Sequence, residues 1–110
     1  MTPADRRRLL HILDHIERIR RYTSEGRTAY DDKTQDAVIH CLTVIGEAAG
    51  ALSQATYDRI AALPPKAVRA QRNILVHEYW RIDHDIVWAT VQHDLPKLTH
   101  EIRELLAAER

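Results

Sequence analysis

The chain contains few residues that interrupt helices. Its 110 residues include three Gly and four Pro, so tight turns can form at only a few places. Such a chain favours a few long elements, and helices rather than a sheet. Hydrophobic residues make up 45% of the sequence and charged residues 29%, which is typical of a soluble globular protein. The length predicts one domain, residues 1–110, with a small core.

The first amphipathic helix has a recognisable start and end. Thr2 is predicted to be its N-cap, Pro3 its first residue, and Asp5 a residue that reaches back to the cap as in a capping box. Gly26 predicts that the helix has ended. The apolar residues of this helix recur at intervals of three or four, as expected for one buried face: Leu9, Ile12, Leu13, Ile16 and Ile19.

A second helix is predicted to begin near Asp31 and Asp32, because acidic residues are favourable at a helix N-terminus. Its apolar face consists of Val38, Leu42, Ile45, Ala49 and Leu52. Small residues, among them Gly46, Ala48 and Gly50, predict close approach of another helix, within the chain or across a dimer. Residues 53–62 are expected to form a short helix or turn with Tyr57 and Ile60 directed inward.

The C-terminal half predicts further helices separated by proline and capping residues. Pro64 and Pro65 are expected to start a helix that runs to about residue 77, and Asp83 to cap the next. Ile86, Val87 and Val91 are predicted to face inward, with Pro96 kinking or restarting that helix. A last apolar face consists of Leu98, Ile102, Leu105 and Leu106. The predicted fold is all-α, a bundle of four to five helices.

Charge is distributed in blocks along the chain. The formal net charge is zero, but residues 1–27 and 64–81 each carry a net charge of +3, and residues 28–63 and 82–110 each carry −3. The whole molecule is therefore not a basic nucleic-acid-binding protein, although a basic block can attract phosphates locally. The arginines of the first helix are interpreted either as a solvated face or as a phosphate-contacting rim: Arg6, Arg7, Arg8, Arg18, Arg20 and Arg21.

Several other classes of protein are disfavoured. A single cysteine, Cys41, rules out an internal disulfide and fits a reducing compartment. The N-terminus has no apolar signal core, and no apolar run approaches the ~20 residues of a membrane span, so the cytoplasm is the expected location. His11 and His15 are the only histidines four residues apart, and no Cys or carboxylate is arranged around them, so no metal site is predicted.

Polar residues cluster around the apolar triplet 74–76. Arg72, Asn73, His77 and Tyr79 lie within eight positions, and burial of the triplet would hold them on a rigid element. Asn73 and His77 are four residues apart, so the amide could fix the imidazole tautomer. Arg72 and His77 would lie roughly 140° apart on an unbroken helix. Either the helix ends near His77, or a second copy of the chain completes the site.

These residues match a known signature. Arg72, four residues, His77, one residue and Tyr79 resemble the Arg-x4-His-x-Tyr motif of HepT-type toxins in the HEPN superfamily. Further segments resemble that family in the same order, and together they cover nearly the whole chain: residues 32–38, 45–49, 72–79, 86–88 and 94–96. The ordered set is more specific than Arg-x4-His alone. The resemblance implies a homodimeric HEPN-type bundle.

The resemblance also implies an activity. Members of this family are toxins of toxin–antitoxin pairs and act as endoribonucleases without metal or other cofactor. It implies that Arg72 and His77 are catalytic, that Asn73 supports them, and that single-stranded RNA or tRNA is cleaved to 2′,3′-cyclic phosphate ends across a dimer cleft. Tyr79 is implied to accept AMP from a partner antitoxin, a minimal nucleotidyltransferase (MNT), which silences the nuclease.

Other interpretations of these residues stay open at this stage. His77 could be a structural histidine, and Tyr79 a core or stacking residue. The chain as a whole could be a non-catalytic HEPN module that binds nucleotide or a partner nucleotidyltransferase. It could also be a structural helical adaptor, with Arg72 and His77 in internal hydrogen bonds. A nuclease should cleave RNA, whereas a binding module should bind nucleotide or its partner without cleavage. In a structural adaptor, substitution of Arg72 or His77 should lower stability and change nothing else.

Overall fold

The computed structural model describes residues 1–63 and 82–109. All regular structure within these two ranges is helical, which confirms the predicted all-α class. We number the α-helices in chain order: α1 Pro3–Tyr22, α2 Asp32–Gly50, α3 Gln54–Tyr57, α4 His84–Ala89 and α5 Leu95–Ala108. A 3₁₀ turn, Arg27–Ala29, precedes α2, and a π-helical turn, Thr90–Asp94, joins α4 to α5. The helix predicted for residues 65–77 lies outside the described residues.

Helix α1 begins and ends where its sequence predicts. The Thr2 hydroxyl accepts a hydrogen bond of 3.0 Å from the Asp5 backbone N–H, and Pro3 occupies the first turn. After the helix, Gly26 has φ = +92°, a conformation that costs glycine little because it has no Cβ. The capping box forms only in part, because the Asp5 carboxylate turns inward to Ser53 and Thr56.

The Asp5 carboxylate connects α1 to α3. Asp5 is 1% exposed. Its Oδ1 accepts from the Ser53 backbone N–H at 3.0 Å, and its Oδ2 accepts from the hydroxyls of Ser53 at 2.5 Å and Thr56 at 2.7 Å. These hydrogen bonds from Ser53, which outweigh the opposing effect of burial, lower the pKa of Asp5 to about 2. The first turn of α1 is thereby fixed to the start of α3.

Helix α2 packs along α1 and supplies much of the core. Its N-cap is Asp31, whose carboxylate accepts from the Thr34 backbone N–H at 2.9 Å. Val38, Ile45 and Ala49 are buried, as predicted. At Gly50 no described atom lies within 4 Å of the place where a Cβ would be, so none of the described residues approaches the helix closely there.

The core is continuous from α1 to α5. The predicted inward positions of Tyr57 and Ile60 are confirmed. Among the described residues, five large apolar side chains are completely inaccessible, and they come from three helices. Side chains of this size removed from water contribute about 1.5–3 kcal/mol each, so their burial is the main force that holds the helices together. They are Leu9, Ile12, Ile19, Val38 and Ile102.

The prediction for the segment around α4 is correct in part. Val87 and Val91 are buried, but Ile86 is 63% exposed, so its predicted inward position is wrong. Pro96 has no N–H to donate, and the chain widens before it into the π turn, with the Leu95 backbone N–H bonded to the Thr90 carbonyl. A new α-helix then starts at Leu95, as one of the two predicted outcomes. None of the helices in the described ranges is long and apolar enough to cross a membrane.

Candidate active site

The four predicted site residues lie in one segment of the chain that is outside the described residues. Arg72, Asn73, His77 and Tyr79 all fall between residue 63 and residue 82. Their roles therefore stay predictions from the sequence. The structure describes the residues on both sides of this segment, which are Leu63 and Ile82.

The segment begins from the core. Leu63, the last residue before it, is 7% exposed, and its backbone N–H bonds to the Ile60 carbonyl at 3.2 Å. The preceding residue, Ala62, donates its backbone N–H to Oε2 of Glu101 on α5 at 2.8 Å. A charged acceptor makes this a stronger hydrogen bond than a neutral one. The chain thus enters the segment from a point held by both burial and α5.

The residues that follow the segment, Ile82 and Asp83, are also held in place. Ile82 packs against the core. The next residue, Asp83, is the N-cap of α4, as predicted, and its carboxylate accepts from the backbone N–H of Asp85 at 2.9 Å and of Ile86 at 3.4 Å. Both ends of the predicted site segment are therefore attached to ordered helices. Such attachment supplies part of the rigid support that a preorganised site needs.

An aromatic and charged cluster also holds the start of α4 in place. The Tyr30 hydroxyl and Nδ1 of His84 share a hydrogen bond of 2.9 Å, and the ring of Trp88 lies 5.4 Å from that of Tyr30. The Arg27 guanidinium lies 5.2 Å from the centre of the Tyr30 ring and donates to the Asp85 carboxylate at 2.9 Å. Burial, opposed by Arg27, raises the pKa of Tyr30 to about 12, so its hydroxyl stays protonated at neutral pH.

This cluster could not be found from the sequence. His84 and its hydrogen-bond partner Tyr30 lie 54 positions apart in the sequence. No local spacing connects the two residues. The cluster holds the loop after α1 against the start of α4.

Two other side chains of reactive types, His15 and Cys41, have contacts typical of structural residues. Nδ1 of His15 donates to the His11 carbonyl at 3.0 Å, and the two rings stack edge to face at 4.4 Å. Cys41 is buried, which raises the pKa of its thiol and makes it a poor nucleophile. Within the described part of the chain, no group of three or more His, Cys, Asp or Glu side chains is placed to hold a metal ion.

Comparison with known proteins identifies relatives over most of the chain. Residues 12–105 match the family model described as ribonuclease HepT-like. A protein of Methanocaldococcus jannaschii named as a gamma-glutamylcyclotransferase and, provisionally, an RNase is 36% identical over 102 residues, which are 89% of this chain and 46% of that protein. The chain therefore spans about half of that relative.

Other relatives match over most of both chains. A second Methanocaldococcus jannaschii protein, provisionally named an RNase, is 33% identical over 110 residues, covering 96% of this chain and 91% of its own length. A "Probable ribonuclease HepT" of Thermococcus cleftensis is 32% identical over 97 residues, covering 86% and 88%. No solved structure matches. Because the family model matches residues 12–105 and the second Methanocaldococcus jannaschii protein matches over 91% of its length, this chain belongs to the HepT-like ribonuclease family of the HEPN superfamily.

Proposed function

We propose that this chain is the toxin of a toxin–antitoxin pair and acts as a metal-independent endoribonuclease. One observation carries the proposal: the Arg72-x4-His77-x-Tyr79 signature lies within the region, residues 12–105, that matches the HepT-like family. The attachment of both flanks of that segment to ordered helices supports it. The proposal places the protein in the cytoplasm, where its RNA substrate is available.

The proposed chemistry uses the nucleophile that RNA already contains. The 2′-hydroxyl of one nucleotide attacks the adjacent phosphorus, and the 5′-oxygen of the next nucleotide leaves. His77 removes the proton from the 2′-hydroxyl or returns one to the leaving oxygen. Arg72, which is permanently charged, donates two hydrogen bonds to the phosphate oxygens as negative charge accumulates there. Asn73 orients the imidazole. The products are a 2′,3′-cyclic phosphate and a 5′-hydroxyl.

A homodimer is part of this proposal. One Arg and one His are few groups for a reaction that needs proton removal, proton donation and charge stabilisation. On a continuous helix Arg72 and His77 also diverge by roughly 140°. A second copy facing the first would supply another Arg and another His to a shared cleft, so both requirements would be met.

Cleavage of a labelled RNA in the presence of EDTA tests the proposed reaction. The purified full-length chain is expected to cut single-stranded RNA or tRNA without added metal and to leave 2′,3′-cyclic phosphate ends, identified by mass spectrometry. An RNA with 2′-O-methyl groups throughout is the matched control and is expected to stay intact, because its nucleophile is blocked. Cleavage of that control would contradict the mechanism. Binding of RNA or nucleotide by a folded chain that never cleaves would favour the non-catalytic HEPN module.

Regulation at Tyr79 has a separate test. Co-expression with a nucleotidyltransferase encoded beside this gene is expected to increase the intact mass by one or more AMP units and to abolish RNA cleavage. The adduct would place a negative phosphodiester and a bulky nucleoside beside the positive charge of Arg72, and would therefore exclude RNA. Tyr79→Phe is expected to prevent the mass increase. Tyr22→Phe, which removes a tyrosine that is 43% exposed on α1, is the control and should leave it unchanged; the opposite pattern would exclude Tyr79 as the acceptor.

A further inference from the structure

The arginines of α1 fall into two groups according to their partners. In the C-terminal half of the helix, Arg18 forms an ion pair of 3.1 Å with Asp14. Arg20 donates two hydrogen bonds to the Glu17 carboxylate, at 2.8 Å from Nε and 2.6 Å from Nη2. Each of these positive charges has a carboxylate within hydrogen-bonding distance. Of the charged residues in this half, only Arg21 forms no ion pair with another described residue, so most of the positive charge is balanced, in agreement with the solvated face that the sequence allowed.

The N-terminal half has an excess of positive charge. Arg6 and Arg7 are exposed, and neither forms an ion pair with another described residue. Arg8 lies 3.6 Å from the carboxylate of Asp5, but that carboxylate is buried and already accepts hydrogen bonds from Ser53 and Thr56. The first two turns of α1 thus contain three guanidinium groups and one acid, and that acid faces away from solvent. The field outside the first two turns of α1 is positive even though the whole chain is neutral.

A hollow of about 300 Å³ lies within this positive region. It is lined by Ala4, Arg7, Arg8 and His11, which occupy neighbouring positions on one face of the helix because they are three, four and seven residues apart. The small Ala4 leaves room beside the longer side chains. Arg7 and His11 are separated along the helix axis by about 6 Å, so their donors can contact the same anion or neighbouring anionic groups of one strand.

We propose that this surface, the α1 basic surface (Arg6, Arg7, Arg8 and His11), binds phosphate groups of the RNA away from the bond that is cleaved. The inference rests on the proposed function, because it assigns an extended binding site for the same substrate. Guanidinium groups bind phosphate through paired N–H donors. Phosphate contacts of this kind supply most of the sequence-independent affinity and fix the orientation of the strand.

The location of the surface is consistent with such a role. The carboxylate of Asp5 connects it to Ser53 and Thr56, and α3 is the last helix before the segment that carries Arg72 and His77. The first two turns of α1 are therefore mechanically tied to the chain that enters the predicted site. RNA bound on this surface would be held by a part of the bundle that does not itself take part in the chemistry.

RNA fits the surface better than an acidic protein does. Protein interfaces bury an apolar centre surrounded by polar groups. The hollow, by contrast, is lined by two guanidinium groups, an imidazole and one methyl group. The large apolar side chain nearby, Leu10, is 46% exposed but does not line the hollow. A polyphosphate chain needs only positive charges and N–H donors, and this surface supplies both.

The salt dependence of RNA binding tests the inference. The His77→Ala chain, which should leave RNA intact, is titrated onto a labelled single-stranded RNA from about 50 to about 300 mM salt, where phosphate contacts dominate the change in affinity. Additional replacement of Arg6 and Arg7 by Gln is expected to weaken binding. It should also reduce the slope of log K against log salt concentration by roughly 1.4, since each phosphate contact to a single strand contributes about 0.7.

A matched control separates a contact from a general loss of charge. Arg18→Gln with Arg20→Gln removes the same two charges from the same helix, but from the paired group. This control is expected to keep the slope of the parent chain. Equal slopes for the two double variants would overturn the proposed surface. So would RNA binding by Arg6→Gln/Arg7→Gln that equals the binding of the parent chain at every salt concentration.

Cleavage by the wild-type chain is measured in parallel, so that the two proposals can fail separately. Absence of cleavage with the predicted difference in slope would reject the nuclease and keep the RNA-binding surface. Cleavage that requires His77, with equal slopes for both double variants, would reject the surface and keep the nuclease. Thermal melting of all variants establishes that they fold, and none of the four replaced arginines contributes to the buried core.

Discussion

Replacing His77 by Ala is expected to lower the rate of RNA cleavage by about 10²–10⁴-fold, the usual contribution of a positioned general acid or base. Replacing Arg72 by Lys is expected to lower it by about 10²-fold, because lysine keeps the charge but loses the planar pair of donors that stabilises the transition state. Rates are measured with enzyme in excess over a labelled RNA, so that the chemical step is observed. Melting temperatures should stay close to that of the wild-type chain.

His100→Ala is the matched control for the loss of a histidine. His100 is an exposed residue of α5 that pairs with Glu104 at 3.0 Å, and its removal is expected to leave the cleavage rate unchanged. If His77→Ala cleaved RNA as fast as the wild-type chain, or if His100→Ala lost as much activity, the assignment of His77 would be wrong. If Arg72 or His77 variants only melted at lower temperature while the wild-type chain left RNA intact, the helical adaptor would be the better description.

Mixing two inactive variants tests whether the cleft is shared. Arg72→Ala and His77→Ala chains, unfolded together and refolded, should form some dimers in which one subunit supplies His77 and the other supplies Arg72. Partial recovery of cleavage is expected if the two residues act across the dimer. No recovery, with mixed dimers verified by mass, would exclude cleavage by one Arg72 and one His77 from opposite subunits. A chain that stays monomeric at all concentrations tested would remove the basis for a shared cleft.

The helices could be predicted where their signals are local. Thr2 and Pro3 start α1, Asp31 starts α2 and Asp83 starts α4, as predicted. Each of these signals depends on a side chain and a backbone N–H only two or three residues away. The buried faces of α1 and α5 could also be predicted, because their apolar residues recur at helical spacing over several turns.

One error follows from helix geometry, and the others arise where distant contacts decide. Ile86, Val87 and Trp88 are consecutive and span roughly 200° around a helix, so they cannot all face one core. Packing of Val87 and Val91 leaves Ile86 exposed. Asp5 fits a local capping box, yet its carboxylate binds Ser53, 48 positions away. The Tyr30–His84 pair is likewise joined only by the fold. For Arg72, Asn73, His77 and Tyr79, the sequence motif and the family remain the basis of the assignment.

The buried Asp5 carboxylate provides the largest stability effect that we expect. Asp5→Asn should lower the free energy of unfolding at neutral pH by about 2 kcal/mol, since the pKa of Asp5 falls from 3.8 to about 2 in the folded chain and each pKa unit corresponds to 1.36 kcal/mol. Asp5→Ala should cost more, because it leaves the buried Thr56 hydroxyl and the Ser53 backbone N–H without their acceptor. Thermal and urea unfolding measure both effects. The control is Asp14→Asn on the exposed face of α1. It is expected to change the free energy of unfolding by about 0.5 kcal/mol or less.

The same carboxylate predicts how stability depends on acid. Because the pKa of Asp5 is lower in the folded chain than in the unfolded chain, its contribution is complete above about pH 4 and is lost as the pH falls from about 4 to about 2. Asp5→Asn has no such group, so the difference in stability between wild type and variant should shrink across that interval. A difference for Asp5→Asn that stayed constant down to pH 2 would show that the hydrogen bonds from Ser53 and Thr56 do not depend on the ionised carboxylate.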